Sequence, residues 1–217
     1  MKWVRLIFAT VISGLLLFAV PAEAAKKKSN KKDQVHVQTI GVSSMDNVFR
    51  KARKLDTRIS TAERTRRSGK ADFRTSLGLT KQGSMQQAIS VFKERAEGEA
   101  KIALKGGTPK LDLGKGFPAD LKISADALDS ALINYTTSLE NTLKAPIEAT
   151  RLVKRAKLFP TEIKGELLSN PLQAVTILKN LKTTKNNLAI MSSLPKRSRD
   201  ITKALTQDIN VVVQALK

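Results

Sequence analysis

From Ser43 to the end of the chain, apolar residues return every three or four positions, and that periodicity restricts the fold more than any composition figure. Val48, Ala52, Leu55, Ile59 and Ala62 make one stripe, with Ser43 and Asp46 placed as a capping box at its start. A second stripe runs through Met85, Ala88, Ile89, Phe92, Ala96, Ala100, Ala103 and Leu104 and stops at Gly106-Gly107. Between the two, residues 69–83 are broken by glycines, and the pattern supports only a short turn of helix around Phe73 and Leu77. Residues 105–122, punctuated by glycine and proline, read as a long irregular connection.

A third helix is predicted from a cap at Ser124, with Ile123 and Leu128 as a hydrophobic staple, through Leu132, Tyr135, Leu139 and Leu143 to Pro146, which kinks or ends it. Helical character resumes through Ile147, Leu152, Val153 and Ala156 and ends before Phe159-Pro160. A linker holding Leu167 and Leu168 follows. Asn170-Pro171 then starts a stripe of Ala174, Leu178, Leu181, Leu188 and Met191. Pro195 opens the last helix in the same way, through Ile201, Ala204, Leu205, Ile209, Val212, Val213 and Leu216. The expected fold class is all-α: an elongated up-and-down helical bundle of about four to five helices with coiled-coil-like packing.

What precedes Ser43 has a different character. Lys2 and Arg5, the apolar run from Leu6 to Val20, Pro21 and the small-residue site Ala22-Glu23-Ala24 have the form of a secretory signal peptide over 1–24, cleaved before Ala25. The apolar run is shorter than the ~20 residues a bilayer span requires, so no stable transmembrane anchor is expected. Residues 25–42 carry five lysines between Ala25 and Asp33 and read as a disordered Lys-rich tail, in which the short alternation from Val35 to Ile40 finds no partner strand. Residues 43–217 form the expected single helical-bundle domain, exported and therefore periplasmic or secreted.

The chain has no cysteine, which excludes disulfides, thiolate chemistry and a lipoprotein anchor. Its one histidine, His36, lies beside the lysine tail, and no Glu-x-x-His pair is present, so Ser-His-Asp catalysis and the common zinc and di-iron sites have no residues to build on. Gly107 and Gly114-Lys115 are wrongly spaced for a phosphate-binding loop, and Gly116 stands where Ser or Thr is needed. No catalytic residue, metal or cofactor is expected.

Positive charge is the strong signal. The sequence carries 39 Lys and Arg against 19 Asp and Glu, a formal net charge of +20. The signal segment holds only Lys2, Arg5 and Glu23, so the basicity belongs to the remainder. It clusters in three groups: Arg50, Lys51, Arg53, Lys54 and Arg58 with Arg64, Arg66 and Arg67; Arg151, Lys154, Arg155 and Lys157; and Lys196, Arg197, Arg199 and Lys203. Arg50, Arg53, Lys54 and Arg58 are the candidate contacts to an anionic surface or partner, arginine for bidentate pairing and lysine for diffuse attraction.

These features point to an exported, non-enzymatic binding or scaffold protein acting at an anionic envelope surface (lipid head groups or acidic polysaccharide) or on a partner protein. The alternative is an amphipathic lipid-binding or membrane-active helical protein. Nucleic-acid binding is favoured by charge but disfavoured by export and by the lack of aromatic stacking platforms, since Trp3, the only tryptophan, falls in the signal. Heptad-like stripes leave dimerisation open.

Overall fold

The computed structural model describes Val35, residues 40–105 and residues 108–217. The expected export signal, the lysine run, His36 and Gly106-Gly107 lie outside the described residues. The elements in order are α1 (Ser43–Ser76), α2 (Met85–Arg95), β1 (Ala100–Lys105), β2 (Thr108–Leu113), a 3-10 turn (Ala119–Leu121), α3 (Lys122–Thr142), α4 (Ala145–Ala156), α5 (Phe159–Ser169), α6 (Pro171–Lys179) and α7 (Leu181–Ala215). The fold is mostly helical, as the periodicity predicts. The residues gather into two compact units: the chain up to Asp56 with Ile147–Pro195, and Thr57–Pro146 with Lys196–Lys217. Helices α1 and α7 contribute to both.

In the first unit the start of α1 is held by a side chain inside the helix. Asp46 accepts the N–H groups of Ile40 (2.8 Å) and Gly41 (3.3 Å), while its own N–H donates to Val42 C=O. The carboxylate thus caps residues before the helix instead of closing a box with Ser43. Ser44 Oγ donates to Glu162 Oε2 of α5 at 2.6 Å, and the Phe49 and Phe159 rings meet edge to face at 5.4 Å. Val35 and Ile40, within the segment expected to be disordered, are 0% and 1% exposed. Burial of two β-branched side chains, with Val35 N–H donating to Asp56 and its carbonyl accepting from Arg53, offsets the ordering entropy there.

Leu167 and Leu168 belong to helix α5 instead of a linker. Asn170-Pro171 does open α6, with proline in its first turn, but Asn170 makes no side-chain cap bond. Pro195 sits inside α7 instead of starting a helix. The reason is visible in burial: Thr184, Asn187, Met191, Leu194, Ser198, Ile201, Leu205, Asp208 and Val212 are all buried, in unbroken steps of three and four. Packing along that seam on both sides of Pro195 offsets a helix-interior proline penalty of ~3 kcal/mol.

In the second unit, α1 runs on through Gly69 to Ser76, past the point where glycine is expected to break it. A Cβ at Gly69 would stand 3.1 Å from Cε1 of Tyr135, so the glycine lets the aromatic ring of α3 lie against the α1 backbone. Tyr135 Oη donates to Arg66 C=O at 3.0 Å. Helix α3 begins at Lys122, ahead of the expected cap. Ser124 is buried and its hydroxyl donates to Ser76 C=O, and Ile123, assigned to a staple, is 74% exposed. Pro146 does separate α3 from α4, which it enters in the first turn.

The largest departure is at 100–113. Ala100, Ala103 and Leu104 fit a helical stripe, yet α2 stops at Arg95 and the chain turns through Glu97 (φ 49°) and Gly98 (φ 82°) into an antiparallel hairpin. Ile102 pairs with Leu111 and Lys105 with Thr108. Ile102 N–H donates outward to Leu216 C=O, and Leu111 N–H to Asp129 Oδ1 of α3. These bonds satisfy outward-facing N–H groups that a two-stranded sheet would leave open. Phe92 packs on Phe73 and Phe117, tying α2 to α1 and to the segment after the hairpin.

Candidate anion-binding surface

The first four turns of α1 sort their charges by direction. Both acidic residues there, Asp46 and Asp56, spend their oxygens on backbone N–H groups of the preceding segment, at Ile40, Gly41 and Val35. Arg50, Lys51 and Lys54 are exposed. Arg50 and Lys54 are one turn apart and share a ridge of the helix. What remains outward is positive.

The four candidate residues do not act as one set. Arg53 is half-buried, and its Nη1 donates to Val35 C=O at 3.0 Å, so its guanidinium holds the preceding segment in place. Arg58 is exposed but engaged in an interaction of its own, and it falls in the second unit. Arg50 and Lys54 are brought together in the first unit.

Each of the three basic groups is divided in the same manner. Arg66 pairs with Asp208, Arg155 with Glu162 (2.5 Å), and Arg197 with Glu63 and Ser60, all through half-buried guanidinium groups or partners. Their neighbours Arg64, Arg67, Arg151, Lys154, Lys157, Lys196 and Lys203 are exposed. Composition counts both kinds alike, and the sequence signal for the difference is weak: each paired arginine lies near the apolar stripe of its helix.

The glycine-rich segment after the hairpin is organised by Glu99. Gly114 N–H donates to its carbonyl (2.7 Å) and Gly116 N–H to its carboxylate (3.3 Å). One of these amides is therefore taken by a backbone carbonyl and the other by an internal carboxylate, which opposes use of the same loop as a phosphate cradle. Among the described residues, no three His, Cys, Asp or Glu side chains converge as metal ligands, and no helix is long and apolar enough to cross a membrane. No family model matches the chain, and no curated protein or solved structure is significantly similar to it.

Proposed function

We propose that this chain is an exported, non-enzymatic helical-bundle protein that binds an anionic envelope surface, with residues 1–24 as its cleaved signal and the periplasm or the exterior as its place of action. The observation that supports it best is the charge sorting on α1, where Asp46 and Asp56 are occupied by the chain's own backbone while Arg50, Lys51 and Lys54 stand exposed. A ridge of exposed cations attracts polyanions at long range and releases them as salt rises. The lysines that follow Ala25 add to the same attraction.

The test compares the purified protein with its R50E/K54E variant on a sulfated-polysaccharide column and on phosphatidylglycerol vesicles. The variant is expected to elute at lower salt from at least one of the two, with the same helical circular dichroism as the parent. Equal elution from both would remove α1 as the binding element. A second reading, direct lipid binding, is favoured by large aliphatic side chains left exposed on the first unit, Ile147, Leu158, Leu168 and Val175.

A further inference from the structure

We infer that the outer ridge of α4 is a membrane-contact surface that docks on anionic phospholipid, its aliphatic side chains entering the interface while its cations hold the head groups. This deepens the anionic-surface reading above and rests on it.

The arrangement begins with an inversion of size. On α4 the alanines Ala149 and Ala156 are buried, whereas Ile147 is 58% exposed, and Leu158, one turn beyond Arg155, is 51% exposed. Folding alone favours the opposite placement, because burying an Ile or Leu releases far more apolar surface from water than burying an Ala. Ile147, Arg151 and Lys154 lie four and three positions apart on one side of the helix. Leu158 N–H donates to Arg155 C=O at 3.1 Å, so the winding carries on past Ala156 and brings Leu158 to the same side. The ridge thus reads aliphatic, cation, cation, aliphatic, with Lys157 exposed beside it.

The surrounding charge is one-sided as well. From Ile147 to Lys179 every exposed charged side chain is Lys or Arg, and the acids Glu148, Glu162 and Glu166 are half-buried. Glu162 accepts from Ser44 and pairs with Arg155. An approaching anionic bilayer meets no carboxylate standing out to repel it. Soluble acidic polysaccharide or nucleic acid would satisfy Arg151, Lys154 and Lys157 but has no apolar phase to receive Ile147 and Leu158. A phospholipid interface supplies both, phosphate at the surface and acyl chain just beneath it.

The experiment is flotation of the purified protein with vesicles of phosphatidylcholine alone and of phosphatidylcholine mixed with phosphatidylglycerol. The protein is expected to float with the anionic vesicles only. The I147S/L158S variant should partition about tenfold more weakly or worse, consistent with two lost aliphatic insertions, and R151Q/K154Q should lose the preference for anionic lipid. Because these positions are exposed, each variant should keep the parent's thermal midpoint. An I147W variant adds a direct reading: its emission, as a difference from the parent, should shift to the blue with anionic vesicles. Binding by I147S/L158S equal to the parent, with R50E/K54E impaired, would overturn the α4 assignment and leave the anionic-surface reading standing. Flotation with neutral vesicles as readily as with anionic ones overturns the recognition of charge. If no vesicle floats the protein, the inference fails, and retention on the polysaccharide column decides the broader reading separately.

Discussion

Asp208 of α7 accepts both Nε and Nη2 of Arg66 of α1, at 2.7 and 3.2 Å, so an ion pair occupies a place where the helix period would put aliphatic side chains. Arg66 follows Ile59 and Ala62 at steps of three and four, and Asp208 follows Ile201 and Leu205 in the same way. The Arg66 carbonyl in turn accepts from Tyr135 of α3. Three helices of the second unit therefore meet at one polar layer.

Removing one member of this pair leaves the other poorly solvated. With side-chain exposures of 27% for Arg66 and 10% for Asp208, D208A is expected to lower unfolding stability by about 2–4 kcal/mol. The double variant R66M/D208L should recover most of that loss, because two apolar side chains need no partner. Urea unfolding of R66M, D208L and the double gives the coupling directly. Additive losses would mean that the pair contributes nothing as a pair.

Tyr135 predicts an alkaline limit. Its phenol is held well above the ordinary value, first by burial and then by the Asp208 charge, with the Arg66 charge opposing. The protonated form is the one that donates to Arg66 C=O. The unfolded phenol ionises near pH 10, so this contribution is full below about pH 10 and falls as pH rises beyond it. Y135F should be less stable than the parent at neutral pH by about 1 kcal/mol. The gap between the two should hold up to about pH 10 and narrow above it, and a gap that stays constant in urea midpoints from about pH 9 to 11 refutes the assignment.

The corner between α1 and α2 depends on a buried arginine. Arg74, 2% exposed, donates to Thr80 C=O (2.7 Å), Ser84 C=O (2.9 Å) and Gln87 Oε1 (3.2 Å). Gly83 lies against its guanidinium at φ +139°, where a Cβ would overlap the group. G83A should cost about 1–3 kcal/mol through backbone strain and displacement of Arg74. Amide exchange in α2 should accelerate first, since Ser84 both accepts from Arg74 and caps Gln87 N–H. Uniform acceleration across the second unit would show that the corner is not a local clamp.

Arg53 and its neighbours should separate stability from binding. R53A removes a charged donor from Val35 C=O and is expected to lower the thermal midpoint by the equivalent of about 1–2 kcal/mol, with little change in salt-dependent retention on polyanions. R50A/K54A is expected to do the reverse. The same column and melting experiments check both halves, and a shared response would show that the α1 cations act as one group.

Much of the helical framework was legible in the sequence. Helix α1 near Ser43, the break before Pro146, the end of α4 at Ala156 and the start of α6 at Pro171 all follow from period and from local backbone chemistry, which act within a few residues of chain. The outward position of Arg50 and Lys54 was legible too, because they lie opposite the stripe of Val48, Ala52 and Leu55. Period states which face is apolar; it does not state what covers that face. Ala100 and Ala103 fit a helix by spacing and by propensity, yet hydrogen bonds to Leu216 and Asp129, distant in sequence, go with the hairpin. The α7 seam was hidden because Thr184, Asn187, Ser198 and Asp208 are buried in it, and a polar residue enters an interior only where it finds a partner, as Thr184 does in the Asn180 carbonyl and Asp208 in Arg66 of α1. For the same reason tertiary structure alone decided that Arg53, Arg66 and Arg197 face inward to partners while Ile147 and Leu158 face out: the energy of a charge or a methyl group depends on what stands opposite it, and that neighbour comes from elsewhere in the chain.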